Sequence, residues 1–172
     1  GRGTAALLWS IRPDLNLNQM ADIIRMGADD LVDPLNRGDT LIGPDTLSGY
    51  GYIDAATSYN LLVNGGVRFI RPTSRNRYTG DFDIGVTSVA GYSGSWKVEY
   101  KFEESGADWQ LLKEGTIANG DTVAFLFSST SESGNLQLRL TDQFGNGNGL
   151  TVVYVRDKVI EITFPTDNLE MK

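Results

Sequence analysis

The sequence predicts an α+β chain in two parts, short helices first and then an all-β, immunoglobulin-like sandwich. Three observations carry this. Residues 1–65 hold four Arg and eight Asp but no Lys or Glu, whereas from Gly66 onward Lys and Glu appear. Apolar residues recur at helical spacing in the first part. In the second they alternate with polar ones at the period-2 spacing of a sheet with one wet face.

Ala5-Ala6-Leu7-Leu8-Trp9 is a compact apolar run that ends before Arg12-Pro13, because the residue preceding proline is pushed out of the α region. This predicts a buried helix over residues 4–11. Asn16 or Asn18 can cap a second helix that places Leu17, Met20, Ile23 and Ile24 on one face, with Gly27 at its C-terminal turn. Residues 33–49 are rich in Gly, Pro and Asp and read as a loop. A last helix follows from Ala55 to Val63, with Ala56, Tyr59 and Val63 as its apolar face.

Asn64-Gly65-Gly66 is the expected joint. Beyond it, Trp96, Val98, Tyr100 and Phe102 alternate with Lys97, Glu99, Lys101 and Glu103, and Leu136, Leu138 and Leu140 repeat the pattern. Further strands are expected at Val67–Arg71, Phe82–Val89, Trp109–Lys113, Thr122–Phe127 and Leu150–Arg156. Seven short strands in about 90 residues fit a sandwich. The expected organisation is therefore 1–64 helical and 66–157 sandwich. Residues 158–172 would begin a further β module, because Val159 to Pro165 echoes Val67 to Pro72.

Composition excludes several function classes. The sequence contains no His and no Cys, so no Ser-His-Asp, Cys-His or zinc-thiolate constellation can be assembled from it. Ser10, Ser48 and Ser58 therefore lack an activating imidazole. A net charge of -7 opposes a phosphate-neutralising surface, so no nucleic-acid partner is expected. No apolar run approaches the roughly 20 residues of a membrane span.

Residues 3 to 63 resemble the end of the subtilisin-like serine protease (subtilase) catalytic domain. Gly3-Thr4-Ala5-Ala6-Leu7-Leu8-Trp9 matches the continuation of the helix that bears the nucleophile in that family. Pro13, Leu15, the segment Met20 to Ile24 and Ala28-Asp29-Asp30 follow in the family's order, and Gly49-Tyr50-Gly51-Tyr52-Ile53-Asp54-Ala55 matches its closing Gly-x-Gly-x-Val-Asp-Ala segment. One departure is Gly27, where the family more often has Thr. Residues 67–156 resemble a sandwich module found downstream of such domains in exported bacterial proteins, through Ile70-x-Pro72, Gly80 to Ile84, Val98-Glu99-Tyr100, Asp108-Trp109, Gly115 to Gly120, Leu138-Arg139-Leu140, Asp142 and Gly145.

The resemblance implies a fragment of an exported, extracellular or cell-surface serine endopeptidase acting on polypeptide substrates. It implies a helical remnant of a subtilisin-like α/β domain at residues 1–64, partnered by the upstream catalytic domain of the same parent chain, with the sandwich as a spacer, a stability element or a substrate-docking surface. The family's Ser would precede Gly1 by several residues and its Asp and His would lie farther upstream. No catalytic, cofactor-binding or metal-ligating residue is therefore assigned here, no cofactor is expected, and the chain alone should be inactive. The alternative is a non-enzymatic adhesion or surface-binding module, and a regulatory subunit complementing a separate protease chain is a third reading.

Four clusters invite sharper readings. Asp29, Asp30 and Asp33 could form a calcium site, but their spacing lacks the EF-hand pattern and a solvated helix-end cluster is preferred. Asp142, Asn146 and Asn148 suit a hairpin turn better than a cation. Arg68, Arg71, Arg75 and Arg77 could hold an anionic polymer, though nearby Asp81 and Asp83 favour a solvated face. Trp96 and Trp109 could stack sugars, but Trp96 falls in the apolar register and is expected in the core. The apolar helices lack the sheet they would pack on in a protease, so they should dock on the sandwich or leave an apolar patch exposed.

Overall fold

The computed structural model describes residues 2–31, 41–45, 49–128 and 130–157. The expected start of a further module at 158–172 lies outside these residues, as do Asp33 and most of the 33–49 loop. The chain is α+β; among the described residues, three ten-residue helices precede a two-sheet sandwich.

Helix α1 runs Arg2–Ile11 and stops before Pro13 as expected. Helix α2 (Leu17–Met26) starts with a capping box: the Asn16 side chain accepts from Gln19 N, and Gln19 Oε1 accepts from Asn16 N. Met20 and Ile23 are buried, but Leu17 in the first turn is exposed, contrary to the expected face. Strand β1 (Ala28–Asp29) pairs antiparallel with β2 (Tyr52–Ile53), and Asp54 caps α3 (Ala55–Asn64) through bonds from Ala56 N and Thr57 N.

Gly27 closes α2 in a right-handed helical conformation, so what requires glycine is space. A Cβ there would lie 2.8 Å from Ser58 N and 2.9 Å from Ser58 Cα, which lets α2 cross α3 at close range. At Gly65, φ is 68° and a Cβ would meet Tyr92 N and Val89 O at 2.6 Å. The expected joint is thus a tightly packed turn.

The first sheet has the order β4-β10-β9-β6-β7, from Arg77–Thr79, Gly147–Val155, Gly134–Asp142, Gly94–Phe102 and Gln110–Ile117. The second is β3-β5-β8, from Gly66–Arg71, Phe82–Val89 and Thr122–Phe127. Pairing is antiparallel except for β4, which runs parallel to β10. Strand β4 was not expected: it is three residues long and has no room for an alternating pattern. Strand β7 begins after Trp109 and extends past Lys113 to Ile117.

Between the sheets lie Ile84, Val86, Val98, Leu136, Leu138, Leu140, Val152 and Tyr154, all fully buried, with Trp96 stacked on Phe125 at 5.7 Å. The helices form a second core of Leu8, Leu15, Met20, Ile23, Leu61 and Leu62, closed by Val89 at the end of β5. Each such buried side chain stabilises by about 1.5–3 kcal/mol relative to exposure. The helices therefore dock on the sandwich.

Docking does not use all their apolar surface. In α3 the buried stripe is Ser58, Leu61 and Leu62, whereas the expected face of Ala56, Tyr59 and Val63 points to solvent. Both stripes have helical spacing, and the three-helix core selects the one carrying Leu61 and Leu62.

Candidate functional site

Two surfaces stand out: the apolar face left on the helices, and the junction where the helices and the loop after α2 meet the sandwich.

On α1 the run Ala5 to Trp9 is apolar on more than one side. Leu8 is buried, while Leu7 and Ile11, one turn apart, are 60% and 43% exposed. On α3, Tyr59 and Val63 are also one turn apart and are 50% and 55% exposed. On α3 the exposed pair lies well away from buried Leu61 and Leu62, and on α1 it flanks the buried side, so the apolar surface of both helices extends beyond what the sandwich covers.

The junction is built from partly buried polar contacts. Residues 41–45 lie across β10: Thr151 Oγ1 donates to Ile42 O at 2.7 Å, Ile42 sits over Gly149, and Gly43 N donates to Asp30 Oδ2 at 2.6 Å. The turn before β4 reaches the same segment, with Ser74 Oγ donating to Pro44 O at 3.2 Å and Arg75 Nη2 to Leu41 O at 3.0 Å. A cleft of about 760 Å³ remains between α2 and β1 on one side and β3, this turn and β10 on the other. Its charges are largely engaged: Arg68 Nε lies 3.1 Å from Asp22 Oδ2 across the junction, and Arg25 lies over the Tyr50 ring. Tyr92 secures the other end. Its buried hydroxyl donates to Ser95 O and accepts from Gln143 N, and burial raises its pKa above the usual tyrosine value.

The four sequence clusters resolve as follows. Asp30 is committed to Gly43 N and Asp29 is exposed in β1, and among the described residues no three carboxylates converge. Asp142 Oδ1 accepts from Phe144 N and Asn146 N, which is the hairpin turn. Asn148 does something the sequence did not reveal: its amide donates to Val67 O at 2.8 Å and accepts from Phe69 N at 3.4 Å, pairing β10 to the edge of β3. The four arginines do not form one patch, since Arg68 and Arg75 serve the junction and Arg71 and Arg77 are exposed.

Trp96 is in the core, as expected. Trp109 lies on the outer face of the first sheet, where Arg139 Cζ is 4.3 Å and Lys101 Nζ 5.0 Å from its ring centroid. The cations occupy ring surface that a sugar would need. Arg139 is in turn held by Glu99, with Nε and Nη2 at 3.1 and 2.8 Å from Oε2. Burial raises the Glu99 pKa, but hydrogen bonds from Arg139 and Lys97 outweigh it and hold the carboxyl below its usual range.

No protein-family model and no curated protein matches the chain. Among solved structures, a superoxide reductase (neelaredoxin) from Ignicoccus hospitalis is 10% identical, with TM-score 0.37 over 54% of this chain and 80% of that one. Fibronectin(III)-like modules of Clostridium thermocellum CbhA are 11% identical, with TM-score 0.39 over 59% and 52%. An endo-beta-1,4-mannanase from Thermotoga petrophila is 12% identical, with TM-score 0.40 over 76% and 30%. These overlaps are too loose to bear on function. No helix among the described residues is long and apolar enough to cross a membrane.

Proposed function

We propose that this chain is part of an exported subtilisin-like serine endopeptidase, to which it contributes structure and no catalytic group. In the parent, a Ser attacks the peptide carbonyl of a polypeptide substrate, a His moves the proton and an Asp orients that His. Helix α1 is the continuation of the helix that carries the Ser, so its packing fixes where the nucleophile points. The sandwich is a rigid brace for that packing, held by Thr151, Arg68 and Tyr92, and the parent works outside the cell or at its surface.

The observation that carries the reading is the second apolar stripe on α1 and α3. Leu7, Ile11, Tyr59 and Val63 remain exposed although the same helices bury a separate stripe. The partner that covers them is the sheet of the upstream catalytic domain. The test is to read the coding region preceding Gly1. A Gly-Thr-Ser-x-Ala-x-Pro segment shortly before Gly3, with Asp and His motifs farther upstream, is expected; unrelated sequence there overturns the reading.

A further inference from the structure

A sandwich of two open sheets has four edges, and each presents a row of backbone groups able to pair with another chain. Three of the four are managed. Strand β3 is capped by the Asn148 amide on Val67 O and Phe69 N. The β10 side is covered by Arg75 N on Thr151 O, Val153 N on Asn76 O and the three-residue β4. Strand β7 carries Lys113 and Glu114, and its pairing with β6 is interrupted by a bulge at Val98/Glu99.

The fourth edge, β8, has none of these devices. Its sequence, Thr122-Val123-Ala124-Phe125-Leu126-Phe127, holds no charge and no proline, and its register with β5 is unbroken. Side chains alternate, with Thr122, Ala124 and Leu126 outward and Leu126 57% exposed, while Val123, Phe125 and Phe127 face the core. Along the side away from β5, no backbone hydrogen-bond partner exists among the described residues.

We propose that β8 is a self-association edge at which a second copy of this chain adds its own β8 antiparallel, joining two three-stranded sheets into one of six. Parity limits the register, because opposed residues must point to the same face. A two-fold axis through Ala124 would set Asp121 against Phe127 of the partner copy. An axis through Phe125 instead opposes Phe125 with itself, Val123 with Phe127, Ala124 with Leu126 and Thr122 with Ser128. No charged residue is then opposed, and the core-facing row of Val123, Phe125 and Phe127 continues across the join.

The test uses the 172-residue chain in sedimentation equilibrium, with Leu126→Lys as the edge variant; Leu126 is exposed, so the variant should keep the parent Tm at concentrations where both chains are monomeric. A concentration-dependent dimer is expected whose dissociation constant rises at least about tenfold in Leu126→Lys. The sequence has no cysteine, so separate Ala124→Cys and Leu126→Cys chains can be mixed under mild oxidation. A disulfide-linked heterodimer is expected in the mixture, with little crosslinking of either chain alone. A monomer at all concentrations overturns the proposal. So does a dimer that Leu126→Lys leaves intact and Leu7→Lys dissolves, which would place association on the helices.

Discussion

Thr151 and Ile42 are joined by a 2.7 Å hydrogen bond from the Thr151 hydroxyl to the Ile42 carbonyl, with Thr151 almost fully buried on the outer face of the first sheet. A side chain on that face would ordinarily meet water. Here residues 41–45 cover it, and the hydroxyl satisfies the partly buried Ile42 carbonyl. Thr151→Val keeps the shape and removes the donor. It should cost about 1–2 kcal/mol and lower Tm by about 3–6 °C, measured by urea and thermal unfolding. Thr151→Ser should restore most of the loss; equal losses in both variants would mean that packing rather than the hydrogen bond holds the loop.

The α2–α3 crossing allows a second prediction in which two effects compete. Gly27 has a helical backbone, so Ala there would by propensity alone stabilise by about 0.5–1 kcal/mol. The new Cβ would, however, lie within 3 Å of the Ser58 backbone, which cannot swing away as a side chain can. Gly27→Ala should therefore be net destabilising by about 2 kcal/mol. Ser58 Oγ is itself buried without a hydrogen-bond partner among the described residues. Ser58→Ala should consequently be neutral or stabilising by up to about 1 kcal/mol. Chemical denaturation of the two single variants checks both signs.

These relationships also show what the sequence could carry. Phe82–Val89 and Thr122–Phe127 are strands with the boundaries read from alternation, and Trp96 is in the core because its register with Val98 required it. Periodicity failed where it was degenerate or absent. In α3, two stripes fit a helix equally well, and only Leu8, Met20 and Ile23 decide which is buried. The 41–45 segment has no period, yet it seats on Thr151, more than a hundred residues away. Asn148 read as a turn residue because its partners, Val67 and Phe69, lie about eighty positions upstream. Long-range polar contacts of this kind leave no local trace. A glycine such as Gly27 carries the signal for a close approach but does not name the residue approached.

Glu99 gives a pH-dependent prediction whose sign follows from its surroundings. Arg139 and Lys97 hold its carboxyl below the usual range despite burial, so the unfolded chain binds the proton more readily than the folded one. The stabilisation from Glu99 should be complete above the ordinary carboxyl range and should be lost as the pH falls through the folded-state value. Asp14 and Asp54 are depressed too, by Arg12 and by the α3 cap respectively, so the acid limb of wild type alone does not isolate Glu99. The difference between wild type and Glu99→Gln does: the gap in urea midpoint should be wide at neutral pH and close as pH falls. Protonation also frees Arg139 from the carboxylate that positions it over Trp109. Acrylamide quenching of the Trp109 signal, isolated in a Trp9→Phe, Trp96→Phe background that still folds, should rise over the same pH interval. Quenching that stays flat while the midpoint gap closes would show that Trp109 is held by Lys101 and the sheet rather than by the Glu99–Arg139 pair.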